Sequence, residues 1–98
     1  MPKGYVILTE AINDPKRMKA YGKAATPAMG QGGCTILSVD TAPHVLEGDW
    51  HGDQTVVLEF ESVEAARAWY ESEAYQKAAK LRQAAADCNA VIISGFGD

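Results

Sequence analysis

The sequence predicts an α+β domain in which a four-stranded sheet carries its helices on one face, in the chain order β-α-β-β-α-β. Two observations carry this expectation. Four segments are rich in β-branched and aromatic residues and place apolar side chains on both faces: Val6 and Leu8 against Tyr5 and Ile7, Ile36 against Leu37 and Val39, Val56, Leu58 and Phe60 against Val57, and Val91 and Ile93 against Ile92. Two stretches with apolar residues at helical spacing separate the first strand from the second and the third from the fourth. Each is expected to carry the chain by a right-handed crossover to a parallel neighbouring strand, so both helices lie on the same side.

The first strand is read at residues 3–10. Asp14 before Pro15 starts a helix, because the carboxylate accepts from free first-turn amides and proline lacks the hydrogen that would go unpaired there. Met18, Tyr21, Ala25 and Ala28 form its apolar stripe; Pro27 is a possible kink, and Gly30-Gln31-Gly32-Gly33 ends it. This glycine run lacks the Lys-Ser/Thr pair of a phosphate loop and leads into a strand, so it is read as a connector. The second strand spans Cys34–Asp40 and can resume at His44-Val45-Leu46. The third spans Thr55–Glu61. Ser62 caps a short helix with Ala65, Ala66, Trp69 and Tyr70 on its inner side. Ser72 interrupts it and caps another, with stripes Ala74, Ala78, Leu81, Ala85 and Tyr75, Ala79, Arg82, Ala86. The last strand is placed at Ala90–Phe96.

Ninety-eight residues make one domain, spanning 1–98, with a thin core that gains from association. If the helices cover one side of a sheet that is apolar on both, the other side needs a cover, and a twofold homodimer burying that face is the simplest closed solution. A net charge of -4 and scattered basic residues argue against nucleic acid or an anionic membrane surface as partner. The opening Met1-Pro2-Lys3-Gly4 leads into an apolar run that stops at Glu10, too brief for a signal sequence or a membrane span; a cytoplasmic location is expected. Cys34 and Cys88 have no metal-ligand spacing and are read as buried thiols.

Chemistry is less legible. Glu47, Asp49 and His51 alternate onto one side of an extended chain and could bind a divalent metal or pair a carboxylate with an imidazole, but Gly48 and Gly52 permit turns that break the alternation; a solvated acidic turn is the plainer reading, and no metal site is assigned. His44 could be a general base at a pocket mouth or a surface residue beside Pro43. Trp50 must pack over the core or wall a cleft. Tyr75 and Arg82 are seven residues apart on one helical stripe: Arg82 could hold a carboxylate or enolate oxygen while Tyr75 donates a proton, or the two could be an ordinary core residue and a surface ion pair. Trp69 and Tyr70 read as core and cleft wall. No nucleophile elbow or dinucleotide fingerprint occurs, so covalent and nicotinamide chemistry are disfavoured and no cofactor is expected.

Val45-Leu46-Glu47-Gly48-Asp49-Trp50, then Val57-Leu58-Glu59-Phe60, then the run from Glu64 to Gln76, together with Gly4-Tyr5-Val6, Gly32-Gly33, Leu81-Arg82 and Ala85-Ala86-Asp87, resemble the domain-of-unknown-function 1330 family over nearly the whole chain. The resemblance implies a small bacterial-type protein of ferredoxin-like topology, with a four-stranded antiparallel sheet, within the dimeric α/β barrel group; it implies no function. One stretch departs from the family: where relatives commonly have Arg-Gly-Gly at the end of the second strand, this chain has Ser38-Val39-Asp40. If that arginine binds an anion in relatives, the preference here is changed or the site is lost.

The expectation is therefore a homodimer with a sheet–helix cleft that takes a small organic molecule, carboxylate or phenol, with cofactor-free proton transfer, His44, Tyr75 and Arg82 as the reacting groups, and Trp50, Trp69, Tyr70, Glu47, Asp49 and His51 as the binding groups. The alternative is a dimeric binding or assembly module whose cleft is filled by its own aromatics.

Overall fold

A computed structural model describes residues 2–97; Met1, with which the opening tetrapeptide begins, lies outside them. The elements run β1 (Gly4–Ile12), α1 (Pro15–Gln31), β2 (Thr35–Asp40), β3 (Gln54–Phe60), α2 (Val63–Glu71), α3 (Glu73–Ala85) and β4 (Ala86–Ser94). The sheet is antiparallel throughout, in the order β2-β3-β1-β4, with the three helices as a second layer. This is the α+β, ferredoxin-like arrangement. The expected parallel neighbours are corrected: β1 and β2 are parallel but β3 lies between them, and β3 and β4 are parallel but β1 lies between them. Each crossover thus skips one strand, and the strand it skips supplies the antiparallel partner for both.

Local chemistry accounts for the boundaries. The Asp14 carboxylate accepts from the Arg17 amide at 3.2 Å and Pro15 occupies the first helical position. Pro27 does not end α1, which runs to Gln31. Ser62 caps α2 by accepting from the Ala65 amide. Ser72 serves two helices with one hydroxyl, donating to the Trp69 carbonyl at the end of α2 and accepting from the Tyr75 amide at the start of α3. β4 begins at Ala86, directly after α3 and four residues before the position expected, because its ladder with β1 extends to the pair Ile12 and Ala86. His44-Val45-Leu46 forms no strand.

The core lies between the sheet and the helices. Val6, Leu8, Val56, Leu58 and Phe60 meet Tyr21, Ala25 and Ala28 of α1, Ala66 and Trp69 of α2, and Tyr75, Ala78 and Ala79 of α3. Trp69 is its hub, stacked against Tyr75 at 4.0 Å between ring centroids and against Phe60 at 5.1 Å. Gly4 allows this close approach of α2 to the sheet: a Cβ there would collide with the Ser62 carbonyl. Ala74, placed on a stripe by spacing, is exposed, and both cysteines are half-buried, not buried.

Two features shape the functional surface. A β-bulge at Leu37 shifts the register of β2, so Ile36 and Val39 both stand opposite residues of the core face, Leu58 and Val56. Strict alternation had put Val39 opposite Ile36; the extra residue reverses it. α1, meanwhile, packs chiefly against α3 and leaves β2 uncovered. Ile36 and Val39 are each 56% exposed on the helix side of the sheet.

Candidate functional site

The space between α1 and the uncovered edge of the sheet is a groove of about 660 Å³. Leu8, Met18, Ile36, Val39, Val56 and Leu58 make its lining largely apolar, and Tyr21, Gln54, Glu10 and the exposed Lys19 add polar groups. Glu10 continues the inward row of β1 after Val6 and Leu8, since residues two apart in a strand share a face, and it is 1% exposed. Gln54, its register partner on β3, donates from Nε2 to Glu10 Oε1 at 2.7 Å. Glu10 Oε2 is buried without a hydrogen-bond partner, and among the described residues no ion pair neutralises the carboxyl group. Such a group is costly to bury unless something completes its bonding.

Behind Tyr21 lies a hydrogen-bonded line into the core. Tyr21 Oη and Tyr75 Oη are 2.8 Å apart, and Arg82 Nε donates to Tyr75 Oη at 3.3 Å. The guanidinium carbon sits 5.9 Å from the Tyr21 ring centroid. Burial pushes both phenols above their ordinary value, and the Tyr75 hydroxyl raises that of Tyr21 further. At rest both rings are neutral hydrogen-bonding groups.

The candidate residues fall into three places. Tyr75, Arg82 and Trp69 are in the core, with the half-buried Tyr70 ring packed on Trp69 and Tyr75. Tyr75 and Arg82 are brought together, as their spacing suggests, but neither lines the groove. Trp50 and His51 are on the opposite side of the sheet, around a small apolar hollow with Ile7, Thr9, Asn89 and Val91. Trp50 Nε1 donates to Thr55 Oγ1 at 2.9 Å, His51 Nδ1 is 2.8 Å from Thr9 Oγ1, and His51 Nε2 is 3.3 Å from Asp87 Oδ2. The connector reaches that side because Gly52, at φ +84°, passes so close to the Glu10 backbone that no side chain would fit, and the Asp53 amide donates to the Glu10 carbonyl. His44, Glu47 and Asp49 are exposed in the same connector and line neither the groove nor this hollow. Among the described residues no three His, Cys, Asp or Glu side chains converge on a metal position, so Glu47, Asp49 and His51 do not form a trio.

Sequence reading missed Glu10 and Gln54. The signal was present: a carboxylate at the next inward position of an otherwise apolar row. Among the described residues, no helix is long and apolar enough to cross a membrane.

The family described as Domain of unknown function (DUF1330) matches residues 3–96. A protein of unknown function from Rhodopseudomonas palustris has a similar structure, with a TM-score of 0.76 at 21% identity over 99% of this chain and 85% of that one. A dimeric ferredoxin-like protein of unknown function from Thermobifida fusca matches with a TM-score of 0.64 at 16% identity, covering 95% of this chain and 91% of its own. The cofactor-independent oxygenase SnoaB from Streptomyces nogalater matches with a TM-score of 0.69 at 9% identity, covering 100% and 97%. No curated protein matches the chain.

Proposed function

The chain belongs to the DUF1330 family, and for this member we propose that the groove between α1 and the sheet binds a small, largely apolar organic molecule with a hydrogen-bond-donating end, such as a phenol. The observation that carries this reading is the unpartnered Oε2 of Glu10 among apolar side chains. A phenolic hydroxyl laid against it completes the carboxylate's bonding while the ring takes the place of water over Ile36 and Val39. A ligand carboxylate at the same place is disfavoured by like charge. The chemistry this arrangement supports is proton transfer without a cofactor. The proton leaves the ligand's O–H or an acidic C–H for Glu10 Oε2, and the electron pair remains on the ligand. Tyr21 stands at the groove with its hydroxyl held by Tyr75, and Tyr75 is held in turn by Arg82. In this reading Tyr75 and Arg82 are positioning residues.

Titration calorimetry with substituted phenols tests it. Binding that is saturable in the unmodified protein and at least tenfold weaker in Glu10→Gln supports the reading; equal binding in the two proteins overturns it.

A second copy of the chain completes the picture on the other side of the sheet. Val91, Ile93 and Trp50 are about half exposed there, and Tyr5, Ile7 and Val57 extend the apolar surface. Dimerisation through this face is supported by that surface and by the dimeric description of the Thermobifida fusca protein. The alternative of an assembly module without turnover draws on a different observation. Trp69, Tyr75, Phe60 and Tyr70 fill the interior beneath α2 and α3, leaving the groove beside α1 as the candidate space for a ligand. Absence of any phenol binding, with dimerisation intact, favours the module.

A further inference from the structure

Arg82 is 2% exposed and carries a full positive charge, since a guanidinium does not lose its proton in proteins. Among the described residues no carboxylate pairs with it; its Nε is bonded to the neutral phenol of Tyr75. The carbonyl end of α3, whose last turn contains Arg82, offsets part of the cost of burying that charge, but it supplies no anion. Arg82 also lines a separate hollow of about 420 Å³ near the start of β4, together with Tyr70, Gln83, Cys88 and Ala90. This hollow shares no lining residue with the groove beside α1. Asp87 borders it too. Its register position opposite Ala11 puts it on the other face from Cys88, which stands opposite Glu10, and its carboxylate is directed to His51.

We propose that this hollow is a binding site for a small carboxylate, which pairs with the Arg82 guanidinium. Nε is bonded to Tyr75 and the Cys88 thiol is also against the guanidinium; its terminal nitrogens have the spacing that matches the two oxygens of a carboxylate. The Tyr70 ring offers a flat wall to an attached aromatic or aliphatic group, and the Gln83 amide stands at the same hollow as a further donor. The hollow is separate from the groove, although the same Arg82 also holds Tyr75 behind it. Glu10 and Arg82 each line their own cavity, and the two call for ligand groups of opposite hydrogen-bonding character.

Thermal shift and titration calorimetry with sodium benzoate test the proposal, with sodium phosphate as a second arm. Saturable benzoate binding is expected, reduced at least tenfold in Gln83→Glu, which sets a negative charge at the mouth without removing core atoms, and also reduced in Arg82→Lys, which keeps the charge but loses the planar fork. If Arg82→Lys does not fold, Gln83→Glu alone decides. Absence of saturable benzoate binding overturns the site, as does benzoate binding unchanged in Gln83→Glu. Saturable binding of phosphate with none of benzoate overturns its assignment to carboxylates.

Discussion

At the proposed groove site Glu10 sits at a cost to stability, whereas the Tyr21 hydroxyl contributes to it. A buried carboxyl with one oxygen unpartnered opposes folding, so replacing it together with its donor, Glu10→Met with Gln54→Leu, is expected to raise stability by about 1–3 kcal/mol in chemical denaturation while abolishing phenol binding. A loss of stability would instead mark Glu10 as a structural residue. Tyr21→Phe removes the hydroxyl from a buried pair and should cost about 1 kcal/mol, since Tyr75 keeps its bond from Arg82. The phenols also set an alkaline limit. Burial raises both above the ordinary value of 10.0, so the folded state holds protons that the unfolded chain has released. Their contribution is complete below pH 10.0 and is lost progressively as pH rises above it. Urea midpoints measured from pH 9 upward should therefore fall, and fall less steeply in Tyr21→Phe. Only part of this was legible in the spacing of the residues. Tyr75 and Arg82 could be paired from the helical repeat, but only the offset of α1 shows that the solvent-facing cavity belongs to Glu10.

Among the elements, the junction between α2 and α3 is tied on both sides by the Ser72 hydroxyl. Ser72→Ala removes an acceptor from α3 and a donor from α2 together, and a loss of about 1–2 kcal/mol is expected in thermal or urea unfolding. Gly4→Ala should be worse, because the clash is with backbone that cannot turn aside. Most elements were legible. Asp14-Pro15, Ser62 and Ser72 announce three helix starts, and the alternation of β1 and β3 fixes which side of each is buried. Three things were not. The bulge at Leu37 has no distinctive residue, and one added position reverses the face of Val39. The early start of β4 depends on pairing with distant Ile12, not on any local signal. The connector's path under Gly52 is set by contact with Glu10, forty-two positions away in the chain.

At the scale of the molecule, a single layer of helices on a single sheet gives a slab whose Cα atoms extend 37 × 35 × 16 Å. Its open face is apolar, and under the proposed dimer Val91→Glu is expected to shift the protein from dimer to monomer in sedimentation at micromolar concentration, because it would bury a charge against its own copy. A variant that stays dimeric would send the interface elsewhere. The kink in β2 has one more consequence. A slab with a bare outermost strand on either side invites neighbours to add on sideways without end, and the misfit at Leu37 roughens one of those margins. Excising Leu37 would smooth that margin while leaving its pairing with β3 in step, and the expected result is a protein that still folds but lengthens into fibrils.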